Sequence, residues 1–383
     1  MRYSAGIFLL FFASLHTWAQ SSPLLPFEMP QARAAGSGGY HAAYADDISA
    51  LFANPAILSS CEGQIAIAEL SLSAIDTGMF GLYIDYVVNM PQKSYVTNIQ
   101  DGQKNTLDLG GPLGVGILYK GFGAALYNVT RSGMVKTKDA ALRAEFSEEF
   151  LVTAGYGLKL FDTGNVRGEL GLTGKFFYRF LSAKDNINVL GIQDFLEDVN
   201  KYPLETQMGG GADLGARLTA GTFSIGVSVH DPYSPASVTG YENRAAFGGT
   251  AQSTGTANVK TRLSAGIAWQ PSPPFGKSVI SEFLLTLDCH NILAPFDEDE
   301  RSILLEFALG FEVRLINNVS FRAAINELMP AAGLGFDFGL FKLDAAIRMT
   351  ECGNDIWQYP ALAFNLSFLY RYRFPPVRDE PIQ

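Results

Sequence analysis

Residues 303–315, "ILLEFALGFEVRL", alternate between two faces. Ile303, Leu305, Phe307, Leu309, Phe311, Val313 and Leu315 share one; Leu304, Glu306, Ala308, Gly310, Glu312 and Arg314 share the other. A period of two belongs to a β-strand, here with one apolar face and one of mostly polar or small residues. "VRGELGLTGKFFYRF" (166–180) has the same form: Val166, Leu170, Leu172, Phe176, Tyr178 and Phe180 oppose Arg167, Glu169, Thr173, Lys175 and Arg179. "FKLDAAIRM" (341–349) and "LAFNLSFLYRYRF" (362–374) repeat it. Extended along the chain, the pattern predicts fourteen strands, near 80–89, 113–119, 122–130, 148–161, 166–181, 207–219, 222–230, 260–270, 279–290, 303–316, 318–326, 332–338, 341–349 and 361–374.

Alternation also suits a β-sandwich. Length and aromatic placement separate the two. Many of these strands run ten residues or more, and a tilted membrane strand needs about 9–11. Their apolar faces end in Trp269, Phe341, Tyr370, Tyr372 and Phe374, rings that favour the depth of a bilayer interface. The connections alternate as well. Short turns at 120–121, 162–165, 220–221, 271–278, 317 and 339–340 are interleaved with gaps at 90–112, 131–147, 182–206, 231–259, 291–302, 327–331 and 350–360. Short periplasmic turns and long outer loops mark an outer-membrane barrel. The predicted fold is therefore all-β: a transmembrane antiparallel up-and-down β-barrel of about fourteen strands over 76–374, with a small N-terminal hatch at 20–75 containing short helices. "QIAIAELSLSA" (64–74) alternates too. Counting it would give fifteen strands and reverse every loop, so it is assigned to the hatch or to the lead into the first strand. In the gap 182–206, "IQDFLEDVNKYP" has the apolar spacing of one short amphipathic helix.

Composition narrows the class. Charged residues are 17% of the chain, glycines number 39 of 383, and the net charge is −10, which disfavours a nucleic-acid surface. Residues 1–19 read as a signal peptide: Arg2, the apolar run "AGIFLLFFASL" (5–15), and Thr17 and Ala19 before the cleavage point. No later run of eighteen apolar residues offers a membrane helix. Cys61, Cys289 and Cys352 are too few for a disulfide framework, and the sparse histidines suggest no metal site. No cofactor is expected. No GxSxG elbow is present, and Asp288 and His290, on one side of one strand, read as structural; no enzyme activity is expected.

Residues 20–75 are too many for a tail and too few for an independent core, and a barrel this wide encloses space that a plug can fill. In "YADDISALFANPAIL" (44–58), Pro55 lacks an N–H and forces Asn54 out of the α region, so a helix in "DDISALFA" must stop there. Asp46 or Asp47 can cap its start. The Asn54-Pro55 step is either a hinge or a fixed turn that seats the plug.

Residues 32–58, with Gly36, Gly38, Gly39, Ala42, Ala43, Asp46, Asp47, Leu51, Asn54, Pro55 and Ala56, resemble the hatch of the FadL-like long-chain fatty acid transporters. Residues 309–347 resemble that family's late hairpins, while the middle of the chain matches only in texture. The resemblance implies a fourteen-stranded barrel, with an apolar ligand bound above the hatch and released sideways through the wall. Asp46, Asp47, Asn54, Pro55 and Ala56 are its hatch or gate residues.

Inward charges recur at Arg167, Lys175, Arg179, Asp213, Arg217, Arg262, Glu306, Glu312, Arg314, Arg322, Asp344, Arg348, Arg371 and Arg373. Arg167, Lys175, Arg179, Arg217, Arg314 and Arg322 are candidates for a ligand carboxylate; a self-paired wet lumen is the plainer reading and is favoured. Gly209, Gly210 and Gly211 are a candidate wall kink. Phe374 can serve as the terminal aromatic read by the barrel-assembly machinery, although residues 375–383 follow as a tail. The expected function is passive uptake of long-chain fatty acids or other hydrophobic small molecules across the outer membrane, by a barrel in contact with its lipid and favoured as a monomer. The alternatives are a barrel that docks secreted proteins or host molecules through its loops, and a plain porin.

Overall fold

The computed structural model describes residues 24–77, 104–136, 142–187, 195, 198–272, 279–297, 301–316 and 318–374. The leader, the strand predicted at 80–89 and the tail 375–383 lie outside the described residues.

The wall is a closed antiparallel barrel of fourteen strands. β1 is Gln64–Asp76, and β2 runs in two segments, Lys104–Gly110 and Val115–Tyr119, both paired with β1. β3 (Phe122–Lys136), β4 (Leu142–Asp162), β5 (Val166–Ile187) and β6 (Leu204–Ala220) follow. β7 has segments Phe223–His230 and Pro235–Tyr241; β8 has Ser253–Asn258 and Arg262–Trp269. β9 (Ile280–Cys289), β10 (Phe307–Leu315), β11 (Val319–Asn326), β12 (Met329–Asp337), β13 (Phe341–Glu351) and β14 (Pro360–Arg373) complete the ring. β14 then pairs back onto β1, from Gln64↔Arg373 to Asp76↔Leu362. Closure satisfies every strand edge, which the hydrocarbon layer requires.

The first wall strand corrects the sequence reading. Residues 64–76 are not hatch but β1. The register of β1 shifts between Ala66 and Ala68, so Gln64 and Ala66 face inward before the bulge and Glu69, Ser71 and Ser73 after it. A bulge changes the phase of alternation; the strand is legible in its alternation, and only the count of fifteen keeps it out of the predicted wall. The long gaps also hold more strand than predicted: β7 resumes at Pro235–Tyr241 and β8 begins at Ser253. The start predicted at 303 shortens, because Ile303–Glu306 form a 3-10 turn.

The distribution of residues is inverted relative to a soluble domain. Leu158, Leu172, Phe176, Ile225, Phe321, Ile347 and Leu362 are exposed on the outer face, whereas Glu169, Thr173, Asp213, Glu312, Arg322 and Asp344 are buried on the inner one. Such an exterior suits lipid; a cation turned outward at mid-depth would cost about 2–4 kcal/mol. No helix among the described residues is long and apolar enough to cross a membrane. Outside the strands, residues 24–63 carry α1 (Ala32–Ser37), α2 (Ala50–Ala53) and a 3-10 helix, Pro55–Ser60. They pack against the inner faces of the wall strands. Met29, Ile48, Leu51, Ile57 and Leu58 form one apolar cluster with Leu118, Ala125, Tyr127 and Val129 of β2 and β3.

Candidate functional site

The site is the plugged lumen, and its centre is the Asn54-Pro55 step. α2 lasts four residues and ends at Asn54, whose backbone is extended. Pro55 then opens the 3-10 helix, where its missing N–H costs nothing. Asn54 is fully buried. Its Oδ1 accepts from Ala56 N (3.0 Å), and its Nδ2 donates to Ala42 O (2.7 Å), Ala216 O (3.1 Å) and Val227 O (3.3 Å). One side chain thus ties two hatch segments to β6 and β7.

The wall is bare where this turn lands. Gly157, Gly171 and Gly215 lie side by side across β4, β5 and β6. A β-carbon on Gly171 would overlap Pro55, and one on Gly215 would overlap Asn54. On β7, Gly226 gives way to the Ala42 carbonyl in the same manner, and Ser228 Oγ donates to Ala53 O (3.0 Å). The glycines weaken the strands slightly but let backbone meet backbone.

The two hatch aspartates enter an ion network on the other wall. Arg33 of α1 contacts Asp46, Asp47 at 3.0 Å and Glu312 at 3.4 Å. Arg314 reaches Glu282 (2.8 Å) and Asp46 (3.4 Å). Arg322 bridges Glu312 (2.9 Å) and Asp344 (2.6 Å), and Lys342 lies 3.5 Å from both Asp47 and Asp344. Burial by itself would raise the pKa of both aspartates. Arg33 and Arg314 outweigh it at Asp46, and Lys342 and Arg33 at Asp47, so both carboxyls sit well below the usual carboxylate range. Neither aspartate caps α2, whose N-cap is Ser49 with no side-chain cap; Asp47 accepts from Ser49 N at 3.0 Å, in the turn before the helix.

Asp288 and His290 do not pair with each other; each holds the hatch. Asp288 faces His41 Nδ1 (2.8 Å) and accepts from Ala42 N (2.9 Å), while His290 Nε2 donates to Gly38 O (2.7 Å). Ser37 Oγ lies 3.3 Å from His41 Nε2. The resulting Ser–His–Asp line is buried, and its hydroxyl is spent on Arg33 O (2.9 Å).

All six cations singled out from the sequence are paired with carboxylates. Beyond Arg314 and Arg322, Arg167 lies 3.1 Å from Glu169, and Arg217 binds Glu169 and Ser60. Arg179 meets Glu149 (2.9 Å) and Gln207 (2.9 Å). Lys175 bridges Asp213 (2.8 Å) and Asp231 (2.7 Å). Gly209, Gly210 and Gly211 do not break their strand: they pair in register with Phe177, Phe176 and Lys175. The break lies in the next strand, at residues 231–234, and Gly211 leaves room for Ser234 there. A second break, residues 259–261, adjoins it in β8.

Above the hatch, residues 24–28 form an arm. Leu24 N donates to Asn258 O (2.8 Å), and Leu24 O accepts from Lys260 N (2.9 Å), so the arm is fastened to the β8 break. Arg179 donates to Leu25 O (3.0 Å). A cavity of about 20 Å³ lies beside the arm, lined by Leu25, Phe27, Lys175, Phe177, Asp231 and Val259. That is room for a water molecule, not for an acyl chain. Glu28, at the end of the arm, meets Arg131 and Arg262. Arg131 was missed as a site residue because it falls in a stretch read as loop. Among the described residues no group of His, Cys, Asp and Glu is arranged to hold a metal.

No protein-family model matches the chain, and no curated protein matches it. Among solved structures it is similar to the CymD monoaromatic hydrocarbon channel, at 12% identity and a TM-score of 0.49, over 92% of this chain and 99% of that one. The Pseudomonas putida toluene transporter TodX is similar at 12% identity and TM-score 0.48, over 92% and 99%. A Pseudomonas aeruginosa FadL homologue is similar at 12% identity and TM-score 0.46, over 91% and 99%.

Proposed function

We propose that the protein is an outer-membrane channel for passive uptake of hydrophobic small molecules, with long-chain fatty acids as the favoured class and no catalytic role. The observation that carries this reading is the position of the cavity. It lies above the hatch and is lined by Asp231 and Val259, one from each of the neighbouring breaks in β7 and β8. A lumen filled by the hatch offers little aqueous path. An apolar cargo that left the lumen at these breaks would enter the bilayer directly, which spares it a second exposure to water.

The test is mass spectrometry of molecules extracted from the folded, detergent-purified barrel, together with conductance in planar bilayers. Retained acyl chains and low conductance are expected. Steady ion conductance would instead identify a plain porin.

One observation favours a second reading, docking of a secreted or host protein. β4 and β5 have 21 and 22 residues against 8 in β11, so one side of the wall stands far above the rest. Leu142, Ala144, Ile187 and Phe195 form an apolar core at its tip. An empty barrel that copurifies with a protein partner would favour this second reading.

A further inference from the structure

Among the described residues, three large apolar side chains sit on a backbone with positive φ: Ile316 (50°), Leu328 (60°) and Trp357 (60°). Large side chains are strained in that region, which turns normally give to glycine or asparagine. All three are exposed, at 68%, 43% and 56%, so the protein's own packing does not repay the strain. All three also lie at the ends of the low side of the wall. Ile316 turns β10 into β11, Leu328 turns β11 into β12, and Trp357 lies between β13 and β14.

β11 has only 8 residues. At about 3.4 Å per residue and a tilt of about 40°, it climbs about 21 Å, short of an apolar band of about 25 Å. Its turns are therefore drawn to the edges of the band, and each carries an apolar residue.

At the outer end the polar groups are turned on one another. Arg301 donates to Glu306 (2.9 Å), Glu327 (3.0 Å) and the Gly353 carbonyl (2.6 Å). Ser302 N donates to Asn354 O (2.9 Å). Glu351 N (2.7 Å) and Thr350 Oγ1 (2.6 Å) both donate to Glu327. Residues 301–306, 327–328 and 350–359 are thus clasped into one unit with Arg301 paired inside it. Internal pairing of polar groups is what contact with lipid requires. The unit exposes Leu304, Leu328 and Trp357, and these continue the exposed apolar row of Leu309, Ile325 and Ile347 on β10, β11 and β13.

We infer that this clasped loop cluster is immersed in the outer leaflet, that acyl chains cover Leu304, Leu328 and Trp357, and that Arg301 holds the cluster in shape. The barrel then rides low on this side, while the tips of β4 and β5 stand clear of the lipid. This goes beyond the uptake reading and is independent of it, since the seat in the membrane depends on the wall and not on the cargo.

The experiment reads tryptophan emission from the full-length barrel in phosphatidylcholine vesicles whose acyl chains carry bromine near the head group or at mid-chain. The Trp357 signal is the emission that Trp357→Phe removes, which separates it from Trp269. Bromine near the head group should quench it about twofold, mid-chain bromine less, and acrylamide in the water hardly at all. Trp357→Phe combined with Leu328→Trp carries the probe to a second position and should give the same result. Arg301→Gln should open the clasp, shift the Trp357 emission to the red and admit acrylamide, while the wall keeps its resistance to heat. Quenching of both positions by acrylamide and not by bromine would overturn the immersion and leave hydrophobic uptake standing. An unchanged Trp357 emission in Arg301→Gln would overturn the clasp.

Discussion

A β-carbon at Gly215 would overlap the side-chain oxygen of Asn54. The barrel wall is stripped to backbone where the hatch turn docks, and Gly171, directly opposite in the register, is stripped for Pro55. Hatch and wall are thus matched by what the wall lacks.

Gly171→Ala should unseat the hatch without unfolding the barrel. Alanine suits a strand better than glycine, so the wall itself loses nothing, while the hatch backbone has no space to yield. The expected outcome is a barrel that keeps its resistance to heat and detergent but conducts ions in planar bilayers. Gly174, on the same strand with only the Ala154 carbonyl 3.9 Å from a β-carbon, supplies a control position.

Asn54→Ala leaves the carbonyls of Ala42, Ala216 and Val227 without this donor. Each buried polar group left unsatisfied costs about 1–3 kcal/mol. The loss falls on the hatch alone, so hydrogen exchange across 42–60 should accelerate by one to several orders of magnitude while the strands keep their protection. Pro55→Ala removes no hydrogen bond and should do far less. If Pro55→Ala leaves ligand uptake at the wild-type rate, the step is a fixed seat and not a hinge.

Acid should loosen the hatch. The carboxyls of Asp46 and Asp47 are held below their ordinary value of 3.8. Their contribution is therefore complete above about pH 4 and is lost as the pH falls from there through the depressed folded values. Conductance recorded at pH 7, 4 and 2 should stay low across the first two and rise at the third. Arg33→Gln removes the shared partner of both aspartates and should shift that rise upward.

Lys175→Met should open the wall break. Lys175 on β5 holds Asp213 on β6 and Asp231 in the β7 interruption. Removing one partner from a buried charge group costs about 3–5 kcal/mol. Exchange of the 231–234 amides should rise, and release of a bound hydrophobic ligand should quicken. Unchanged release would argue against a route at that break.

The amino-acid sequence determined the class of this molecule, because a period of two with an apolar face is a local property. The number of strands and the inward placement of most of the charges follow from it. So does the stop at Asn54, since proline acts on its own neighbour. Three matters waited for the tertiary structure. Whether 64–76 belongs to wall or hatch depended on ring closure, since its alternation suits either and the pairing of Gln64 with Arg373 places it in the wall. The wall breaks fell in β7 and β8 and not at the glycines of β6, because a gap is a failure of pairing between two strands and neither strand carries it alone. The availability of each cation was hidden too. Arg179 and Arg348 read alike in sequence, but Arg179 meets Glu149 on the next strand, whereas Arg348 has no ion-pair partner among the described residues, and cross-strand partners are set by register.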